Sequence, residues 1–218
     1  MLEECPVSRK SGECPVQPIE TPINATLNPA NNMPYAETLQ AYTDPSVETL
    51  STVREESTIP RADAETTWQY PSTRMFYAAL QRKGKPVPPD AVESMVNVHN
   101  ALNEAVWAEV VKTESVLAPQ CRPQLVRFTG RPEEWSPRAW WHVRMRGGLP
   151  PFDRHDWIID RCGCNVRYVI DYYDSHPEEG QATFNVDLRP ALDTPQACLD
   201  RMRLFWYKHF SRNDPIQQ

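Results

Sequence analysis

Between Leu149 and Asp174 the chain sets Asp153, Arg154, His155, Asp156, Asp160, Arg161 and Arg167 among Phe152, Trp157, Ile158, Ile159, Tyr168, Val169 and Ile170. A surface strand does not need so many aromatic residues. A core strand takes so many charges only when they are paired. Two readings fit. The segment is a salt-bridged structural hairpin, in which Asp153 and Asp156 merely orient Arg154 and His155. Or it walls a pocket for a large, flat, charged ligand, which requires aromatic surfaces and a few cations. Phe152, Arg154, His155, Trp157, Arg161 and Tyr168 supply both.

The cysteines and the other histidines offer less. Cys162-Gly-Cys164 has one intervening residue, and no second pair stands at zinc-finger spacing. Six cysteines in 218 residues do not read as a disulfide framework. Cys121 and Cys198 read as small buried hydrophobes. Cys5-Pro6 and Cys14-Pro15 belong to a small repeat, "ECPV". His99 reads as a core or helix–helix histidine, His142 as part of a Trp-rich helix, His176 and His209 as solvated.

These residues need elements to hold them. Ser72 is an N-cap, and Gly84 ends a helix over about 73–83. Asp90 caps a long helix over about 91–117, stopped before Pro119. Its apolar stripe reads Val92, Met95, His99, Leu102, Val106, Val110, Thr113, Leu117, at helical spacing. "SPRAWWHVRMRGG" offers Ser136 as cap, Pro137 at the first turn and a Gly147-Gly148 stop. "WIIDR" and "VRYVIDYY" form a hairpin turning at Gly163, and "ATFNVDL" adds a third strand. Thr194 and Pro195 start a final helix. The fold class is α+β, with helices packed on a small antiparallel sheet and a disordered N-terminal tail.

The totals bound the function. The first 60 residues carry 3 basic and 9 acidic side chains and eight prolines, and the remainder balances at 20 against 20. A neutral folded part does not suit general nucleic-acid binding. No apolar run approaches the ~20 residues of a membrane-spanning helix. "MLEECPVSRK" is neither a secretory signal nor an Arg-rich presequence.

"LSTVREESTIPRAD", "WQYPSTRMFYAAL", "VHNALNEAVW", "PFDRHDWIIDRCG", "VRYVIDYYD" and "DLRPALDTP" resemble, in order, segments of the mitochondrial cytochrome c-type heme lyases, including a cytochrome c1 branch. The resemblance implies an enzyme that attaches heme to the Cys-x-x-Cys-His motif of apocytochrome c or c1 through thioether bonds. It implies the intermembrane space, peripheral on the inner membrane. It implies residues 1–50 as a tail with two Cys-Pro motifs, 51–212 as the lyase domain and 213–218 as a short C-terminal tail. Cys5, Pro6, Cys14 and Pro15 look like the family's heme-regulatory motifs. The ligand expected at Phe152, Arg154, His155, Trp157, Arg161 and Tyr168 is then heme, bound non-covalently before transfer. The nucleophiles belong to the substrate, so no catalytic residue is assigned.

One position departs from the family pattern. The resemblance implies an axial histidine near the end of the long helix, where this chain has Leu117, and His155 is the candidate metal ligand in its place. Three explanations stand: a cytochrome c1 lyase, an iron held differently, or a non-catalytic heme-binding assembly factor. "EEWSPRAWWHVRMR" and "LFWYKHF" suit a membrane interface, a heme or partner groove, or ordinary core helices.

Overall fold

The computed structural model describes residues 27–28, 33–34, 36, 39, 49–85, 87–131, 133–175 and 183–210. Cys5-Pro6, Cys14-Pro15, His176 and residues 213–218 lie outside the described residues. β1 (Leu27–Asn28) and β2 (Met33–Pro34) form a two-residue ladder. Within the same N-terminal stretch Leu39 is buried against Met75 and Ala78. A second ladder pairs β3 (Glu56–Pro60) with β4 (Thr67–Gln69). Helix α1 (Thr73–Arg82) starts where Ser72 Oγ accepts from Met75 N, and α2 runs from Pro89 to Leu117.

The main sheet is antiparallel, in the order β5 (Gln124–Gly130), β6 (Asp153–Arg161), β7 (Cys164–Ser175), β8 (Thr183–Pro190). It holds the three expected strands and adds β5. Arg161 pairs with Cys164, so β6 and β7 are joined by the two-residue loop Cys162-Gly163. Both loop residues have positive φ, 50° and 84°, the condition for a tight hairpin turn that follows the strand twist. Helix α3 (Pro137–Arg146) is capped by Ser136 and ends on Gly147 at φ 63°. Helix α4 (Pro195–Phe210) is capped by Thr194, whose Oγ1 accepts from Ala197 N.

Strand alternation divides the opening segment between two faces. His155, Trp157, Ile159 and Arg161 of β6 face α2, with Tyr168, Ile170 and Tyr172 of β7 beside them. There Trp157, Ile159, Tyr168, Ile170 and Tyr172 pack with Val106, Trp107 and Val110 of α2, Leu125 of β5 and Ile59 of β3. Each aromatic ring of this size removes about 150–250 Å² from water, roughly 4–6 kcal/mol of apolar burial. This is the seam on which the fold is built.

The opposite face carries the charges. Asp156 meets Arg154 at 3.1 Å, Arg167 at 3.0 Å and Arg131 at 3.4 Å. Asp171 meets Arg189 at 2.6 Å, and Asp187 meets Arg189 at 2.7 Å and Arg138 at 3.2 Å. Ser136 Oγ donates to Asp171 and accepts from Ala139 N, so one hydroxyl starts α3 and ties it to the sheet. Pairing satisfies charges that would otherwise be too costly to bury.

Two expectations are corrected here. Cys121 is bonded to Cys162 across 41 residues, while Cys198 is exposed and free. The hairpin tip brings Cys162 beside the residues that follow α2, with Cα atoms 5.5 Å apart, inside bridging range. On α4 the buried positions are Ala197 and Asp200, which turns Cys198 outward. The buried stripe of α2 is also rotated by about one residue from the apolar pattern. It reads Val92, Val96, Asn100, Asn103, Val106, Trp107, Val110 and Glu114, whereas Met95 is exposed. Three polar side chains sit where an apolar stripe would be.

Candidate functional site

Helix α2 and strand β6 run side by side in the same direction. His99 to Glu114 spans about 22 Å of helix, and His155 to Arg161 about 20 Å of strand. The two elements therefore stay in register, and polar groups meet at each end of the apolar seam.

At the far end, Glu114 is 1% exposed and fully engaged. Arg161 grips it in a fork, Nε to Oε2 at 2.5 Å and Nη2 to Oε1 at 2.7 Å. The third arm of Arg161 reaches Asp200 of α4 at 2.6 Å, and Gln196 Nε2 donates to the other Asp200 oxygen at 2.9 Å. Tyr168 Oη donates to Glu114. Burial by itself would lower the Arg161 pKa, but Glu114 and Asp200 raise it well above the ordinary value. Burial first, then the Glu114 charge, push the Tyr168 hydroxyl up. The Cys121–Cys162 bridge closes the same end.

These contacts correct part of the pocket expectation. Trp157 and Tyr168 are fully buried core residues of the seam. Arg161 is a structural tie between α2, the hairpin and α4. Arg154 points to the opposite face, where it holds Asp156 and donates to the Glu134 carbonyl at 3.0 Å. The hairpin is salt-bridged, and its charges there are spoken for. Leu117 lies one turn beyond Glu114, about 27 Å along the helix from His99. It belongs to the locked end.

The near end is built differently. His155 Nε2 lies 3.2 Å from Asp153 Oδ2, and its ring stands edge-on to Tyr172 at 5.4 Å. His155 Nδ1 and Tyr172 Oη are buried without a hydrogen-bond partner among the described residues, as are Trp157 Nε1 further along the seam and Asp171 Oδ1 on the opposite face. Buried polar atoms are usually paired, so these two atoms, adjacent to one another, single out the near end as a candidate site. His99 comes to the same end from α2, edge-on to Tyr70 at 6.2 Å and Phe76 at 5.5 Å. Burial lowers its pKa, the Asn100 contact opposes this, and the neighbouring His155 and Lys83 charges lower it further. His99 is thus held neutral, the form that ligates metals.

Two charged groups flank the histidines. Burial would raise the Asp153 pKa, but His155, the Arg154 backbone and Lys83 hold it below the ordinary carboxylate value. Lys83, exposed at the end of α1, has its pKa lowered by partial desolvation, and Asp153 works against that. Phe152, 49% exposed, leans on Tyr172 at 6.2 Å and Phe184 at 5.8 Å and forms the open rim. Underneath, Glu104 accepts from Tyr70 Oη at 2.9 Å, from Thr58 N at 3.0 Å and from the Thr58 hydroxyl. Of the six expected hairpin residues, Phe152 and His155 come together here. His99 joins them, a partner that its place in an apolar stripe had concealed.

Two clefts border β8. One, of about 600 Å³, lies between α3 and β7–β8 and is lined by Arg138, Trp141, His142, Arg146 and Tyr173 among others. The other, of about 730 Å³, lies between α2, β8 and α4. Both include Val186 and Asp187. Trp140, Trp141 and Met145 of α3 and Met202, Trp206 and Phe210 of α4 are exposed. Neither helix is long and apolar enough to cross a membrane, nor is any other among the described residues.

Two histidines near an aromatic rim suit a flat, metal-centred ligand, and the comparisons bear on that chemistry. The sequence profile of the cytochrome c/c1 heme lyases matches residues 1–205. The chain belongs to this family. The human holocytochrome c-type synthase is 43% identical over 205 residues, covering 90% of this chain and 75% of the relative. The Saccharomyces cerevisiae holocytochrome-c synthase is 40% identical over 233 residues, covering 94% and 84%. A putative holocytochrome-c1 synthase of Schizosaccharomyces pombe is 35% identical over 182 residues, covering 80% and 83%. No solved structure matches the chain. The heme lyase is thus an enzyme of cytochrome c maturation. Its near end gathers aromatic and imidazole groups, and its far end ties α2, the hairpin and α4 together.

Proposed function

We propose that this lyase binds heme at the His99–His155 end of the α2–β6 seam and joins it to the Cys-x-x-Cys-His segment of an apocytochrome. The observation that carries the reading is the convergence of two histidines with two unpaired buried polar atoms beneath an exposed phenylalanine rim. An imidazole of His99 or His155 would hold the iron. Phe152 and Tyr172 contact the macrocycle, and Lys83 suits a propionate.

Each substrate thiol adds across one heme vinyl group. An S–C bond and a C–H bond form, the vinyl π bond is lost, and the thiol proton ends on carbon, so no net oxidation occurs. The enzyme's contribution is positioning, which converts the encounter of thiol and vinyl into an effectively unimolecular step. Nothing in this scheme needs a nucleophile from the enzyme.

Cytochrome c is the preferred substrate. Relatives named for holocytochrome c synthesis reach 43% identity over 205 residues, against 39% over 137 and 35% over 182 for two relatives named for c1. Leu117 does not bear on that choice, because it lies at the other end of α2. The site of action is the mitochondrial intermembrane space, peripheral on the inner membrane. The exposed tryptophans of α3 and α4, beside Arg138, Arg144, Arg146, Arg203 and Lys208, suit an anionic lipid surface.

The test is product formation in bacteria lacking their own cytochrome c maturation. The lyase is expressed with apocytochrome c or with the soluble domain of apocytochrome c1, and denatured protein is stained for covalent heme. Heme on cytochrome c, lost in His99→Ala and kept in Leu117→Ala, is the expected result. Heme on c1 alone overturns the substrate preference. Heme on cytochrome c undiminished in both His99→Ala and His155→Ala overturns the site.

A further inference from the structure

β8 is the last strand of the main sheet, so one of its two edges has no partner strand. Which backbone groups face that edge follows from the register. Ala191 N donates to the Arg167 carbonyl at 2.8 Å. In an antiparallel pair the direction of bonding alternates from residue to residue. Counting back along the register, Arg189 and Asp187 turn their N–H and C=O toward β7, whereas Leu188, Val186 and Phe184 turn theirs outward. Pro190 falls in the outward set, and its carbonyl accepts from Arg201 Nη1 of α4 at 2.9 Å. Helix α4 thus closes the edge at Pro190. From Phe184 to Leu188 the outward groups have no hydrogen-bond partner among the described residues.

A free strand edge pairs readily with another chain, and natural edges are blunted by lysine, proline or a bulge. The stretch Phe184-Asn185-Val186-Asp187-Leu188 has no lysine or proline and pairs with β7 without a register shift. The two clefts that border β8 lie on opposite faces of the sheet and meet at this edge. Val186 and Leu188 share the face of Tyr172 and Ile170 and line the larger cleft, with Val116 of α2 and Leu204 of α4. Asn185 and Asp187 share the other face with Tyr173 and Asp171 and line the smaller cleft, with Trp141 and His142 of α3. Side chains of an extended chain alternate between faces. A strand laid along β8 would bond to the outward groups and drop alternate side chains into the two clefts, one largely apolar, the other aromatic and polar.

We propose that the outer edge of β8, from Phe184 to Leu188, docks an extended segment of the apocytochrome as an added strand. This rests on the reading of the near end as the heme site. The occupant follows from where the edge leads. Phe184 rests on Phe152 at 5.8 Å, and Val186 pairs with Tyr172. A segment about 13 Å long covers the edge, and its next residues arrive at the aromatic rim. An acceptor must bring two thiols and a histidine to a heme held there. It does so as unfolded chain, because it does not yet hold the heme it will enclose. A second copy of the lyase has no such requirement.

Amide hydrogen exchange tests this on the full, unmutated chain. The probe is apocytochrome c with both heme-attachment cysteines replaced by serine, so that it binds without turnover. The Val186 and Leu188 amides are expected to exchange about 10-fold more slowly in its presence, and at an unchanged rate with hemin alone. Binding without that protection, or no binding, overturns the proposal. Protection that grows with the lyase's own concentration, without apocytochrome, gives the edge to a second copy and overturns the occupant. Val186→Pro removes one outward N–H and leaves the β7 ladder whole, a position at which an edge strand tolerates proline. It is expected to raise the KM for apocytochrome c by about 10-fold, with hemin affinity and circular dichroism unchanged. An unchanged KM overturns the docking role, and so does a KM that rises only together with a loss of hemin affinity. Failure of the heme-site reading looks different: hemin affinity is then indifferent to both His99→Ala and His155→Ala, while protection of the edge persists.

Discussion

At Glu114 the α2–β6 seam closes on itself. Two carboxylates, one guanidinium and one phenol use one another up, and a disulfide fastens the elements that carry them. At the His99 end, fifteen residues earlier on the helix, the hairpin leaves His155 Nδ1 and Tyr172 Oη buried and unpaired, behind a phenylalanine in contact with solvent. Both ends are buried and polar, and both are assembled from the same helix and hairpin. The difference is satisfaction. A fully satisfied network stabilises one arrangement, whereas an unsatisfied one is maintained at a cost and waits for a partner. The lyase anchors its fold at one end of the seam and spends stability at the other.

The largest effect that would break this comparison lies at the locked end. Arg161→Ala strands Glu114 and Asp200 in the interior, and a loss of about 3–5 kcal/mol in denaturant unfolding is expected. Arg161→Lys should recover only part of it, because a point charge cannot grip Glu114 in a fork. An Arg161→Ala protein of unchanged stability would mean that this end is not the anchor.

A smaller effect sharpens the contrast at the open end. His99 has its pKa lowered from 6.5, chiefly by burial. Its stabilising contribution is complete above that ordinary value. As pH falls through 6.5 toward the lower folded value, the unfolded chain binds the proton first, so stability declines. The slope is at most about 1.4 kcal/mol per pH unit from this group. His99→Gln should flatten that window in thermal unfolding, while Asp153, lowered below 3.8, stays ionised throughout it. A slope that survives His99→Gln would assign the proton elsewhere.

The smallest effect expected is none. Leu117→His places an imidazole at the locked end, away from the rim, and hemin affinity should match that of the unmutated chain. A new axial ligand in its spectrum would show that the far end opens to heme after all, and the comparison would fail.

Much of this was legible in residue order. Caps at Ser72, Ser136 and Thr194, the turn at Gly163 and strand alternation are local properties, so the elements and their faces could be read before any contact was known. Phe152 and His155 could be marked because aromatic and charged residues in one strand demand an explanation. Which charges were already paired could not be read. Arg154, Arg161, Trp157 and Tyr168 looked equivalent to Phe152 and His155 until strand parity and partners from distant segments separated them. The Cys121–Cys162 bridge was hidden for the same reason, since 41 residues intervene and only the hairpin's docking on α2 closes the distance.

By itself, then, the order of residues determined the α+β elements, the hairpin, the candidate imidazole at His155 and membership in the heme lyases, because each rests on neighbours or on a shared pattern. The tertiary structure alone decided that His99 meets His155 and that Glu114 is sealed by Arg161. Those facts depend on how far α2 slides along β6. That offset is decided by packing between the two elements, and neither element's own sequence contains it.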